Sequence, residues 1–397
     1  MGRLVVLMVT AFVDMVGLLM VLPLLPYYAV KLGGGGLAVG VLISSFAVAQ
    51  LLSAPLWGRV SDRFGRRPAL IVGLGAAAIA YVIFGYADSL WLLLLSRLVQ
   101  GAGGGTVGVI QAYVADVTAP ENRARSLGWL SAATSAGVML GPVLGSLSRG
   151  ISDEAPGLLA AGLCVANMVF AWLFLEESRE TDTSREEMAP PVLPRQAVWQ
   201  VLSRPADPAP RMIWIYSIAM GAFQGMTAVL ALFLALRFAV TEREIGFVFA
   251  YTGAISVVAR ALLLGKAVDR MGEARLSRVG MLLLAGGLTV LPFTHRWLPL
   301  ALALALIPLG MAFTFPCVTS ILSRIIGSRE RGVYMGVQQS FGGAARVLAP
   351  LWAGWAWDNL GVGIPFWTGA GLVVGTLFLG RGMERYAPAP VRAGLSP

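Results

Sequence analysis

One histidine and two cysteines in 397 residues exclude several chemistries at once. A histidine-based catalytic triad or a histidine–cysteine metal cluster needs more of either residue than this chain holds. Cys164 and Cys317 lie inside apolar runs without disulfide or metal-ligand spacing, so they read as small buried residues. No enzyme is expected, and no cofactor. Charge is scarce as well: 13% of residues are charged and 57% are hydrophobic, too little polar side chain to coat a soluble globule. The chain belongs in a lipid bilayer. Acids are outnumbered by bases, 21 against 30, for a formal charge of +9. A nucleic-acid binder gathers such an excess on one face, whereas here it punctuates apolar runs, so no nucleic-acid partner is expected.

What is abundant is apolar segments long enough to cross a bilayer, which takes about 20 residues each. They fall near residues 4–30, 37–57, 69–87, 90–115, 126–149 and 157–176, then 211–237, 244–266, 277–294, 298–325, 333–356 and 363–382. The expected fold is all-α, with twelve transmembrane helices in two pseudo-symmetric six-helix bundles, 1–176 and 211–397, joined by a linker at 177–210. The first run follows Arg3 as a signal peptide would, but it is about 25 residues long, carries an acid at its middle and lacks a small-x-small cleavage site. It reads as a retained span. The linker holds Pro190, Pro191, Pro194, Pro205, Pro208 and Pro210. Within it, residues 195–203 alternate Val198, Trp199, Val201 and Leu202 with polar residues, the pattern of a short helix lying on the membrane surface.

Topology follows from the cations. Of the 30 Lys and Arg, 22 fall in the tails, the linker and the loops between even and odd spans. The opposite loops hold Lys31, Arg149, Arg237, Arg243 and Arg296, and Arg97, Arg260 and Arg346 fall within spans. Both termini and the linker are therefore expected in the cytoplasm.

The chain also repeats itself. Residues 58–68 form a cationic knot between spans 2 and 3, expected to be a tight loop because such charge cannot lie in hydrocarbon. Gly58, Asp62, Arg63 and Gly65 recur as Gly265, Asp269, Arg270 and Gly272, each 207 positions on. Gly128 and Pro142 recur as Gly336 and Pro350 at an offset of 208.

Few residues carry chemistry inside the spans. Asp14 sits mid-span, where a carboxylate must meet water or a cation, or spend part of its time protonated. That makes it a proton-carrying candidate and a substrate anchor. Arg97, followed by Gln100 and Gly101, is a cation that stays charged, tolerated beside water, carbonyls or an acid, and suited to tuning how readily a nearby carboxyl holds its proton. Gly137, Gly141 and Gly145 share one face of span 5 and permit close helix contact, and Pro142 bends the span. At 58–68, Asp62 is a candidate acceptor at the start of a neighbouring helix, and Arg63, Arg66 and Arg67 are within sequence reach of Asp116 or Glu121. Arg260 lies five residues before Gly265 and reads as interfacial. Arg346 shares its span with Gln338, Gln339 and Phe341, and reads equally well as cavity-facing or structural.

Together these residues resemble the major facilitator superfamily, particularly its twelve-span drug:proton antiporters. The 58–68 stretch resembles the superfamily's signature between spans 2 and 3. Residues 95–101, Leu-Ser-Arg-Leu-Val-Gln-Gly, resemble its span 4 motif, and 137–145 the span 5 motif of exporters. Asp14 followed by Pro23 and Pro26 is similar to the first span of the tetracycline-exporter group. That group carries an acid in span 3, a histidine in span 8 and an acid in span 9, where this chain has Ala80, Ser256 and Leu284. The resemblance implies Asp14 as the protonation site, Arg97 as its coupling partner and Asp62, Arg63 and Asp116 as a cytoplasmic charge relay.

The expected protein is a monomeric, proton-coupled antiporter of the bacterial inner membrane that exports lipophilic small molecules, cations among them, by alternating access. Expected lining residues are Asp14, Gln111, Ser135, Phe223, Gln224, Tyr251, Phe315, Gln338 and Phe341, with Arg346; an apolar wall with few polar anchors suits varied drugs. Rival readings are a transporter of one metabolite, such as a sugar, amino acid or siderophore, and a lipid-handling or sensor protein.

Overall fold

The computed structural model describes residues 2–177, 193–327 and 330–386, apart from the side chains of Pro120, Glu121 and Ala124. Residues 178–192 of the linker, Pro190 and Pro191 among them, and the Glu121 carboxylate lie outside the described residues. Among those described there is no strand. Apolar runs in a bilayer satisfy their own backbone by winding into helices, and the helices come in the expected order.

The first span is α1 (Arg3–Val21) followed by α2 (Leu25–Lys31); Pro23, which has no N–H to donate, falls in the interruption. Spans 2 and 3 are α3 (Gly36–Phe64) and α4 (Arg66–Gly85). Span 4 divides into α5 (Leu90–Ala102) and α6 (Thr106–Val117) at Gly103, Gly104 and Gly105. Then come α7 (Pro120–Arg149), α8 (Ala155–Phe174) and the linker helix α9 (Pro194–Ser203). Spans 7 and 8 are α10 (Pro208–Phe238), and α11 (Ile245–Val258) running through a π-helical turn, Ala259–Leu263, into α12 (Leu264–Met271). The last four spans are α13 (Glu273–Val290), α14 (Trp297–Ile325), α15 (Arg331–Asn359) and α16 (Ile364–Leu379). Ten of these stretches are both long and apolar enough to cross a membrane. The other two are α15, 29 residues long but interrupted by polar side chains such as Gln338 and Arg346, and α16, apolar but 16 residues long.

The 58–68 stretch is not a loop. It is the end of α3 and the start of α4, with Gly65 alone between them at φ +103° and ψ 156°. Continuing the helix keeps backbone groups bonded, and one residue at positive φ turns the chain, so a longer loop is unnecessary. Gly272 does the same between α12 and α13, at φ +75° and ψ 157°. The duplication read from sequence thus extends to backbone conformation.

The chain divides into two compact units, residues 1–186 with 231–253, and residues 187–230 with 254–397. In the first, α1 packs on α7 and α8, α4 on α8 and α5, and α3 on α5. The segment joining α10 to α11 is anchored in this unit. Tyr27 donates its hydroxyl to Val240 O at 2.8 Å, Arg149 Nε meets Glu242 Oε2 at 2.8 Å, and Ser146 Oγ donates to Glu242 O while accepting from Gly246 N, both at 2.8 Å. In the second unit α13 packs on α14 and α16, and α9 on α15. The helix expected at 195–203 is present; Ala197 and Val201 are buried, Trp214 Nε1 donates to Val201 O at 3.0 Å, and Trp199 and Leu202 face outward.

Candidate functional site: a polar cavity in the first unit

Glycine spacing in α7 positions the site. A Cβ on Gly137 would come 2.6 Å from Phe12 O, one on Gly141 2.7 Å from Val16 O, and Gly145 lies against Met20 O. α1 therefore meets α7 backbone to backbone along the Phe12, Val16 and Met20 face. Asp14 lies two residues from both Phe12 and Val16, about 160–200° around the helix, so its side chain turns away from α7. There it is buried, 7% exposed, and Oδ2 accepts a hydrogen bond from Thr106 Oγ1 at 2.8 Å.

Thr106 is in place because span 4 breaks just before it. The break frees carbonyls inside the membrane, and side chains of α3 satisfy them. Gln50 Nε2 donates to Gly104 O at 3.1 Å, Ser53 Oγ to Gly101 O at 3.2 Å, and Trp57 Nε1 to Ala102 O at 2.6 Å. A side chain at Gly105 would strike the Trp57 ring. The glycine run is thus a seat for α3, and α6 restarts against Asp14.

A cavity of about 30 Å³ adjoins the carboxylate, walled by Phe46, Gln50, Tyr81, Gln100 and Thr106 among others. That is room for about one or two waters, and the walls offer several polar partners. Tyr81 and Gln100 connect it to Arg97. Gln100 Nε2 donates to the Tyr81 hydroxyl at 2.7 Å, and Gln100 Oε1 accepts from Arg97 Nη1. The Arg97 guanidinium is 1% exposed and stands 4.5 Å from the Phe46 ring centroid, with Nε unpartnered. Arg97 forms no ion pair with Asp14; a neutral glutamine and a phenol lie between them. Sequence reasoning named both charged residues and missed Thr106, Tyr81, Gln50 and Phe46. Only the glycine run, which marks a helix restart at Thr106, carried a signal for any of the four.

At the 58–68 stretch Arg66 is the hub. Its Nε meets Asp116 Oδ2 at 3.0 Å, and its Nη1 meets Asp62 Oδ1 at 2.6 Å and donates to Ser61 Oγ at 2.7 Å. The helix-start position offered to Asp62 belongs to Glu177, which accepts from Arg66 N at 2.8 Å and Arg67 N at 3.1 Å and so caps α4. Arg67 donates to Trp172 O, and Arg63 lies over the Phe64 ring. Gly58 has open space around its Cα.

The remaining sequence candidates are dispersed. Gln111 and Tyr251 are exposed and Ser135 is half-buried in the first unit. In the second unit Phe223, Gln224 and Arg346 are half-buried, and Gln338 is fully buried, accepting from Thr319 Oγ1 at 3.4 Å. Phe315 meets Tyr216 at a tilt with centroids 4.8 Å apart, and Phe341 meets Trp214 edge-on at 5.5 Å. A separate cavity of about 220 Å³, walled by small and apolar residues of α10, α15 and α16, has the lining for hydrocarbon.

The sequence profile of the Major Facilitator Superfamily matches residues 7–350 and 213–394. A class C tetracycline resistance protein of Escherichia coli is 32% identical over 378 residues, 90% of this chain and 93% of that protein. Multidrug resistance protein 1 of Bacillus subtilis is 26% identical over 365 residues, 92% of each. Among solved structures, the human organic anion transporter MFSD10 superposes with a TM-score of 0.69 at 24% identity, covering 95% of this chain and 98% of that one.

Proposed function

Because this chain belongs to the Major Facilitator Superfamily, a family of transporters, we propose that it exports lipophilic small molecules in exchange for protons, with Asp14 as the group that carries the proton. The relatives named for tetracycline and multidrug resistance support a drug as cargo. The observation that carries the proton half is Asp14 itself, buried within a span on the wall of a polar cavity, bonded to a neutral hydroxyl and, among the described residues, paired with no cation. A carboxylate so placed is tolerated by taking a proton or by meeting water, and an exchange between those two conditions is what antiport requires.

Arg97 acts at one remove. Through Gln100 and Tyr81 it holds positive potential beside the cavity without neutralising Asp14, so a shift of α5 against α1 changes how readily the acid keeps its proton. The Arg66 cluster with Asp62 and Asp116 holds one conformation at the cytoplasmic side and releases in another. The moving bundles are residues 1–176 and 211–397, with 177–210 and both termini in the cytoplasm of a bacterial inner membrane, and the protein acts as a monomer.

The test is a panel of tetracycline and other lipophilic drugs in an efflux-deficient bacterial host, paired with proton movement in vesicles carrying purified protein. Wild type is expected to raise resistance and release protons on drug addition, and Asp14→Asn to do neither. Undiminished resistance in Asp14→Asn removes Asp14 from the mechanism.

A further inference from the structure

In the second unit, Arg260 and Arg346 lie deep within spans, and among the described residues no acid meets either. Arg260 lies in the π-helical turn of span 8, a kind of bulge that recurs at functional sites, and is open to the surface. Arg346 is half-buried on α15. Among the described residues neither has an ion-pair or hydrogen-bond partner. The buried acid described at the start of α13, Glu273, is taken by Arg324 at 3.1 Å and Ser320 Oγ at 2.8 Å.

Tyr216 ties the region together. The π-helical turn of Arg260 packs on α14, the helix of Phe315; the Tyr216 ring meets Phe315 at a tilt with centroids 4.8 Å apart, and a Cβ on Gly342 would come 2.8 Å from Tyr216 Cε1. Gly342 is one turn from Arg346 on the same helix face. Gln338, one turn the other way, is fully buried with Nε2 unpartnered, a donor facing no acceptor. At 1.5 Å per residue, Tyr216, Arg260, Phe315 and Gly342 stand about 12–17 Å from the helix ends at Pro208, Met271, Ile325 and Arg331, so they occupy one layer. Arg260 is thus mid-span, not interfacial as its place five residues before Gly265 suggested, and a guanidinium at that depth is tolerated where its open side meets water rather than hydrocarbon.

Two guanidinium groups with no ion-pair partner among the described residues, beside two close aromatic rings, suit negative charge spread over a flat ring. Resting on the transport reading above, we infer that the cargo is a planar organic anion, its carboxylate, phenolate or enolate held by Arg260 and Arg346 and its ring laid against Tyr216 and Phe315. Cationic drugs are then poor cargo, since two fixed positive charges repel them.

Equilibrium binding tests this without any proton gradient, so its failure is distinguishable from failure of the Asp14 mechanism. The probes are 2-naphthoate, 2-naphthylmethanol and 2-naphthyltrimethylammonium, titrated against full-length protein in phosphatidylcholine nanodiscs. Wild type is expected to bind the anion roughly tenfold or more tightly than the alcohol, and the cation most weakly. Arg346→Gln and Arg260→Gln are expected each to lose roughly tenfold for the anion and little for the alcohol, while the Lys variants keep the ranking. Wild type favouring the cation, or both Gln variants keeping full affinity for the anion, overturns the inference. Repeating the titration with phosphatidylglycerol present separates cargo from lipid: competition by that headgroup assigns the arginines to lipid and also overturns it.

Discussion

Thr106 Oγ1 donates a hydrogen bond to the Asp14 carboxylate at 2.8 Å, joining the first span to the restart of the fourth. Removing that donor from a buried acid costs about 1–3 kcal/mol. Thr106→Val is therefore expected to lower thermal stability in detergent and to weaken proton-linked transport, and Thr106→Ser to preserve both. A Thr106→Val protein with wild-type melting and transport would show the contact to be idle.

Helix contact through α7 gives a paired prediction. Gly145 lies against the backbone of Met20, so Gly145→Ala forces α1 and α7 apart, whereas Gly128 has nothing within 4 Å of its would-be Cβ. Gly145→Ala is expected to destabilise by about 1–3 kcal/mol, as overpacking does, and Gly128→Ala, at an open helical position, to stabilise by about 0.4–1 kcal/mol. Thermal unfolding of the two variants side by side decides it.

The repeated motif contains two kinds of glycine. Gly65 and Gly272 sit at positive φ, while Gly58 and Gly265 are helical in open space. Alanine at Gly65 or Gly272 is expected to cost about 1–3 kcal/mol in backbone strain, and alanine at the helical Gly58 or Gly265 to stabilise by about 0.4–1 kcal/mol. Equal melting temperatures for all four variants would contradict this assignment.

Asp153, between α7 and α8, supplies a pH dependence. The Lys31 ammonium bonds its carboxylate, Arg149 adds a second bond, and together they hold the carboxyl below its ordinary value. A group lowered in the folded state contributes stability above its unfolded pKa and loses that contribution as pH falls through the folded value. The stability difference between wild type and Asp153→Asn should be level from neutral pH down to roughly pH 4 and shrink below it, as followed by thermal unfolding across pH. The side chain is partly exposed, so added salt should also reduce the difference.

Much of the fold was legible in the chain itself. Segments such as 37–57 and 298–325 were readable because the bilayer demands about 20 apolar residues and a self-satisfied backbone, a constraint written in composition. The 58–68 stretch misled because charge indicates exposure to water, not whether the backbone stays helical. Asp14 and Arg97 were legible as ionisable groups in a span, where such residues are rare.

The duplication, the twelve segments and the few intramembrane charges follow from sequence alone, since each depends on residue type and spacing. The partners do not. That Asp14 meets Thr106 and not Arg97, that Gln100 and Tyr81 stand between the two charges, and that Glu177 rather than Asp62 caps α4 all depend on which helix faces which. Those facings are decided by close glycine contacts and breaks at Pro23 and Gly103–Gly105, whose geometry exists only once distant segments have packed together.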